Sequence, residues 1–185
     1  MSETVRALVV YESMFGNTER IARAIRDGLR QRVPTEIVPA YRAPTVIPAD
    51  VRLLVVGGPT HAFSMTRVST RQEARKQQDV VMPIEVGIRE WLDALAIDTR
   101  STTGRRSRDL EVATFDTRIA KVRRLPGSAA RSAGKLLRRM GFRLISTSSF
   151  FVDETTGPIR EVEIERAGRW GQELGRLLTG SVTTA

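Results

Sequence analysis

Between Val9 and Ala22 the chain reads VVYESMFGNTERIA. Three polar residues, Ser13, Asn17 and Thr18, surround a single glycine, Gly16. An apolar run precedes them and a helical pattern follows. That setting suits anion binding. The first amides of a helix have no internal partners and carry partial positive charge, so a phosphate can accept hydrogen bonds from them. Ser13, Asn17 and Thr18 each add a side-chain donor, and Gly16 lets the backbone come close. Met14 and Phe15 interrupt the set with bulk and no polar group, which leaves more of the cradle to backbone amides. The loop lacks the GxxxxGK(S/T) pattern and its lysine, which argues against a nucleotide triphosphatase. It also lacks the GxGxxG of a dinucleotide fingerprint. On the loop alone a second reading stays open: a helix capped by Asn17 or Thr18, with nothing bound.

Other reactive chemistry is sparse. The 185 residues include no cysteine and one histidine, His61. Disulfides, thiolate metal sites and histidine-rich metal centres are therefore excluded, and the absence of cysteine suits a cytoplasmic protein. No apolar run approaches bilayer length, so membrane insertion is not expected. The opening MSETVRALVV lacks the charged start, apolar stretch and cleavage site of a signal peptide. A hydrophobic fraction of 41% is too high for a disordered chain. The net charge is +9, and residues 100–143 hold thirteen basic against three acidic residues, enough to account for the whole surplus. Such a patch is either a solvated surface or an attractor for nucleic acid, an acidic protein or an anionic membrane.

These residues need elements to position them. VRALVVY (5–11) and VRLLVVG (51–57) read as buried strands. TEIVPA (35–40) is a weaker strand, LEVATF (110–115) another, and FRLISTSSFFV (142–152) the last. A helix over 18–32 places Ile21, Ala22, Ile25, Gly28 and Leu29 on one face, and Pro34 ends it. GPTHAFSMTR (58–67) reads as a loop, and VSTRQEARKQQD as a polar helix or mobile segment, either a flap or a solvent-facing helix. Ile84, Ile88, Trp91, Leu92 and Leu95 share a helical face, and DTRSTTGRRSRD (98–109) is a basic connector. Ser128 suits an N-cap and Gly141 a C-terminal stop for a helix with Ala129, Ala133, Leu136, Leu137 and Met140 as its stripe. A final helix over 161–178 carries Trp170; both tryptophans read as packing residues. Strands alternating with helices predict an α/β fold: a single doubly wound domain over 1–185, with a core of about 5–178 and a frayed tail over 179–185. Its five-stranded parallel sheet should have helices on both faces, joined by right-handed crossovers.

YESMFGNTERIA resembles the FMN phosphate loop of the flavodoxin family. GGPTHAFSMTR, after the third strand, resembles that family's second flavin loop, and ATFDTR, after the fourth, resembles the third. The three occur in the family's order, each at the carboxyl end of an expected strand, and the likeness runs from Val5 to about Leu178. The resemblance implies a flavodoxin-like sheet of order 2-1-3-4-5, with FMN at the switch point between the first and third strands, as flavodoxin itself exemplifies. It implies that Ser13, Asn17 and Thr18 bind the FMN phosphate together with backbone amides from Met14 through Phe15 and Gly16 to Thr18. Pro59, Thr60, His61, Ala62 and Phe63 would line one side of the isoalloxazine ring, and Thr114, Phe115, Asp116, Thr117 and Arg118 the other. There are departures. Many flavodoxins carry hydroxyl residues where Met14 and Phe15 stand, and neither flavin loop has a tryptophan or tyrosine. His61 either contacts the ring or is a surface histidine. Phe115 either covers the ring or packs in the core. Asp116 and Glu12 are the acids nearest the expected flavin, and a turn or cap is the other role open to Asp116.

The resemblance implies an FMN electron carrier that works between redox partner proteins. No base, nucleophile or metal set faces the expected pocket, which favours a carrier over a dedicated catalyst. Carriers of the family are usually acidic. This basic chain points to an acidic partner steered by residues 100–143, with Arg118, Arg123 and Arg124 as a docking rim or a solvated edge. Two alternatives stay open. One is a flavin-dependent NAD(P)H:quinone-type oxidoreductase. The other is a flavin-free binding module that uses the basic face, with nucleic acid as a less favoured partner.

Overall fold

A computed structural model describes residues 6–77, 82–101, 110–124 and 126–182. Val5, positions 102–109 of the basic connector and the last three residues of the expected tail lie outside the described residues. The elements run β1 (Arg6–Tyr11), α1 (Asn17–Arg30), β2 (Thr35–Pro39), β3 (Val51–His61), β4 (Ser64–Met65), α2 (Val68–Gln77), α3 (Ile88–Ser101), β5 (Glu111–Ile119), α4 (Ala129–Arg139), β6 (Arg143–Val152) and α5 (Glu161–Val182). Five strands form a parallel sheet in the order β2-β1-β3-β5-β6, and β4 pairs antiparallel with the end of β3. Apart from that short hairpin strand, this is the expected 2-1-3-4-5 order.

The alternation of side chains along each strand divides the core in two. Ala7, Val9, Leu53, Val55, Ala113 and Phe115 face α1 and α5, where they meet Ile21, Ile25, Leu29, Trp170 and Leu174. Leu8, Val10, Leu54, Val56 and Val112 face α3 and α4, where they meet Ile88, Trp91, Leu92 and Leu137. The strands read as continuous apolar runs because both faces are covered. Each fully buried Leu, Ile or Val contributes about 1.5–3 kcal/mol.

Several boundaries differ from the sequence expectation, and each has a pairing or packing cause. β3 continues to His61 because Gly58 and Pro59 still pair with Asp116 and Thr117, and Thr60 and His61 then pair with β4. β5 reaches Ile119 because β3 and β6 flank it on both sides. Ile84 lies outside α3, which starts after Gly87. α2 is not a solvent-facing helix, because Arg71 and Ala74 are buried. α5 runs to Val182, so residues 179–182 are helical rather than frayed. Ser128 caps α4, its hydroxyl accepting from the Arg131 amide, and Gly141 follows the helix with φ of 94°, as expected.

Candidate functional site

The start of α1 is the chemical centre of the site. Gly16 occupies the N-cap with φ 85° and ψ −15°, and no side chain caps the helix. The alternative in which Asn17 or Thr18 caps this helix is thereby excluded. The glycine serves backbone conformation rather than close approach: a Cβ there would meet no atom within 4 Å, but the left-handed φ disfavours any side chain. The first helix-type bond at this end runs from the Arg20 amide to the Gly16 carbonyl, so the amides of Asn17, Thr18 and Glu19 precede the helical ladder. Beside them Ser13 Oγ is buried and makes no hydrogen bond to the protein. The Thr18 hydroxyl lies 2.7 Å from that of Thr117, which ties the loop to the end of β5. Met14 is buried against Ala74 and Met82, with Phe15 and Tyr41 packed around them. The two bulky residues therefore anchor the loop to α2.

The second wall is a hairpin. His61 pairs with Ser64, and the two residues between them, Ala62 and Phe63, have φ of 46° and 65°. Two-residue hairpins of this hand usually place glycine or asparagine there. Strain of this kind persists only where the surroundings over-determine it, and they do so here. A Cβ on Gly127 would sit 2.3 Å from the Phe63 carbonyl oxygen, so the α4 approach packs directly under the turn. Arg89 donates to the Thr66 and Met65 carbonyls at the hairpin's return. Phe63 is held 51% exposed.

Between this hairpin, the α1 loop and the ends of β5 and β6 lies a cavity of about 250 Å³. Ser13, Met14, Phe15, Asn17 and Thr18 line it from the first loop, Pro59, Thr60, His61, Ala62 and Phe63 from the second, and Thr117 and Arg118 from the third. Buried His61 Nδ1 makes no hydrogen bond to the protein. The lining includes one permanent cation, Arg118, and no carboxylate. Ile119, Val152 and Thr155 also line it and went unread in the sequence. The signal was available: in a parallel sheet every strand ends on the same rim, so the segment after the last strand must reach it too.

Thr114, Phe115 and Asp116 do not face this cavity. They sit within β5 and are wholly buried. Phe115 forms an edge-on cluster with Phe150 and Trp170 in the core. Thr114 shares a hydroxyl bond with Thr147. Asp116 closes the start of α4, accepting from the Thr60 hydroxyl at 2.7 Å, the Ser128 hydroxyl and the Ala130 amide at 3.1 Å. Of its two open roles, the cap is the one observed.

A buried ionic network braces the loop from below. Glu12 accepts from the Thr66 hydroxyl and, at 2.8 Å, from the Ile88 amide at the start of α3. Fully buried Arg71 donates to Thr66 at 2.8 Å, to Glu90 at 2.8 Å and to the Ile84 carbonyl at 2.6 Å. Burial pushes the Glu12 carboxyl above its ordinary range, opposed by the Thr66 and Ile88 hydrogen bonds and the Arg71 charge.

No protein-family model matches the chain, and no curated protein matches it in sequence. Solved structures match it in shape. A flavodoxin from the domain Archaea aligns over 95% of this chain and 99% of its own, with TM-score 0.62 and 16% identity. A WrbA-like flavodoxin protein from Agrobacterium tumefaciens aligns over 95% and 98%, with TM-score 0.64 and 13% identity. Oxidised Flavodoxin 2 from Bacillus cereus aligns over 94% and 99%, with TM-score 0.64 and 17% identity. With the strand order and these neighbours in agreement, the chain has the flavodoxin-like fold.

Proposed function

We propose that the chain binds FMN at this cavity and carries electrons between redox partner proteins. The observation that supports this most is the uncapped start of α1 beside the unpartnered Ser13 hydroxyl. A buried donor without a partner costs about 1–3 kcal/mol, and a phosphate ester would satisfy it together with the helix amides. The residues fit the rest of the group. Pro59, His61 and Phe63 offer a flat wall on one side, and Thr117 and Ile119 close the other. Arg118 brings a positive charge to the lining, which suits an anionic ligand.

Bound FMN supplies one- or two-electron redox chemistry. The chain's own part is to hold and shield it. Ser13 and the α1 amides hold the phosphate, the hairpin covers the ring, and His61 Nδ1 is placed to exchange a hydrogen bond with a polar atom in the cavity. Among the described residues no carboxylate lines the cavity, which favours a carrier over an acid–base catalyst.

The test is a titration of the flavin-free protein with FMN and with riboflavin, followed by visible absorbance. The expected result is FMN binding at about micromolar affinity or tighter, with riboflavin weaker by about a hundredfold, because it lacks the phosphate that the α1 start holds. No spectral change with FMN, or equal affinity for the two, overturns the reading.

A further inference from the structure

The surplus positive charge of the chain has a structured part. Arg131, Lys135 and Arg138 lie at i, i+4 and i+7 on α4, all exposed, and no ion pair engages them among the described residues. Arginines elsewhere are commonly paired: Arg23 with Glu19, Arg166 with Glu163 and Arg169 with Glu165. The three cations of α4 form one wall of an open groove of about 790 Å³ whose other wall is β6. Hydroxyls of Ser132, Thr147 and Ser149 line it, and neither an aromatic side chain nor a carboxylate does.

β6 is the edge of the sheet. At its carboxyl end the outward backbone groups are taken by α5: the Phe151 amide donates to Glu163 and the Ser149 carbonyl accepts from Arg166. Pairing with β5 is regular from Ser146 to Val152, so the same alternation turns the amide and carbonyl of Thr147 outward as well. That segment of open edge lies in the groove, opposite the α4 cations. An exposed edge is a template for another strand.

We propose that an extended acidic segment of a partner protein adds to β6 as a further strand, pairing with Thr147 and setting alternate carboxylates against Arg131, Lys135 and Arg138. The spacings agree. Helical rise places Arg131 and Lys135 about 6 Å apart, and alternate side chains of a strand are about 6.7 Å apart on one face. Main-chain pairing supplies affinity and the cations supply selection. A single-stranded nucleic acid fits less well, because the groove has no ring on which a base would stack. The groove begins at Gly127 and Ser128, under the Phe63 turn, so the docked segment lies next to the cavity. The inference rests on the groove and needs no flavin.

The probe is a fluorescein-labelled peptide of about ten residues alternating glutamate and threonine, a length that matches a typical strand, read by anisotropy with the full chain. Binding is expected at about 50 mM salt and should weaken as salt rises. The triple change Arg131→Glu, Lys135→Glu, Arg138→Glu weakens it at least about tenfold. N-methylation of alternate peptide amides weakens it about tenfold in the register that blocks pairing and little in the other. Thr147→Pro does the same while circular dichroism stays unchanged, since proline is tolerated where an edge amide points outward. Absence of binding, binding indifferent to charge reversal, or loss confined to charge reversal with both backbone changes neutral, each overturns strand addition. So does tighter binding of a uridine oligonucleotide than of the peptide.

Discussion

Three helices start near the carboxyl ends of the strands, and they start differently. α4 begins under the carboxylate of Asp116, with Ser128 and Thr60 completing the set. α3 begins under the carboxylate of Glu12, which takes the Ile88 amide. In both, a strand end supplies a buried carboxyl group to a helix start, where it accepts an amide that the helix itself leaves unpaired. α1 has no such carboxylate. Its N-cap is a left-handed glycine, and the Ser13 hydroxyl in the same loop is itself unpartnered. The difference separates structure from function. A helix start that the protein closes with its own carboxyl group is part of the fold, and the one left open beside a cavity is where the proposed phosphate would sit.

The contrast can be broken most sharply at α4. Asp116→Ala removes the acceptor of two buried donors and one half-buried donor and should cost about 3 kcal/mol of stability in urea unfolding. A loss under about 1 kcal/mol would mean that this start is not closed by its carboxylate. The matching change at α1 should behave in the opposite way. Ser13→Ala should not lower the stability of the flavin-free protein and should raise it by about 1 kcal/mol, because the hydroxyl has no protein partner to lose and its unpaired burial is costly. It should weaken FMN binding about tenfold, read by the absorbance titration. If Ser13→Ala instead destabilises the flavin-free protein as Asp116→Ala does, the two starts are not different in kind.

The hairpin joins both ends, with Thr60 on α4 and Phe63 over the cavity. Ala62→Gly relieves a left-handed φ and should raise stability by about 0.5–1 kcal/mol. An unchanged or lowered midpoint would show that the turn stores no strain. The smallest signal is a pH slope at α3. Because burial raises the folded pKa of Glu12 above its unfolded value, its contribution is fully present below the unfolded value and is lost as pH rises through the folded one. Relative to Glu12→Gln, the native protein should therefore lose unfolding free energy as pH rises through that window. A difference between the two that is flat or grows with pH would contradict a burial-dominated carboxylate.

Much of the fold was legible in the sequence, because valine-rich runs alternating with amphipathic helices leave few other solutions. The first loop was legible too, since small polar residues around Gly16 between a strand and a helix carry a local signal. Residues 58–67 misled, because Gly58 and Pro59 have the chemistry of a loop and only their β5 neighbours keep them in a strand. Asp116 misled in a related way. A sequence near an expected pocket does not say which way a side chain turns, and alternation along a longer β5 turned this one to α4. Arg71 gave no sign of burial within a polar helix, because its partners Glu12, Thr66, Ile84 and Glu90 are spread along the chain.

The sequence by itself determined the layers and a small polar loop between a strand and a helix, and its resemblance implied the strand order. The layers and the loop follow from local periodicity and from residue types whose conformational preferences act over a few positions. Only the tertiary structure decided which helix start stays open, because closure depends on carboxylates delivered from strands far away in the chain. It likewise decided that Met14 and Phe15 anchor the loop to α2, and that the unpaired cations of α4 face the free edge of β6. These are juxtapositions that no local rule encodes.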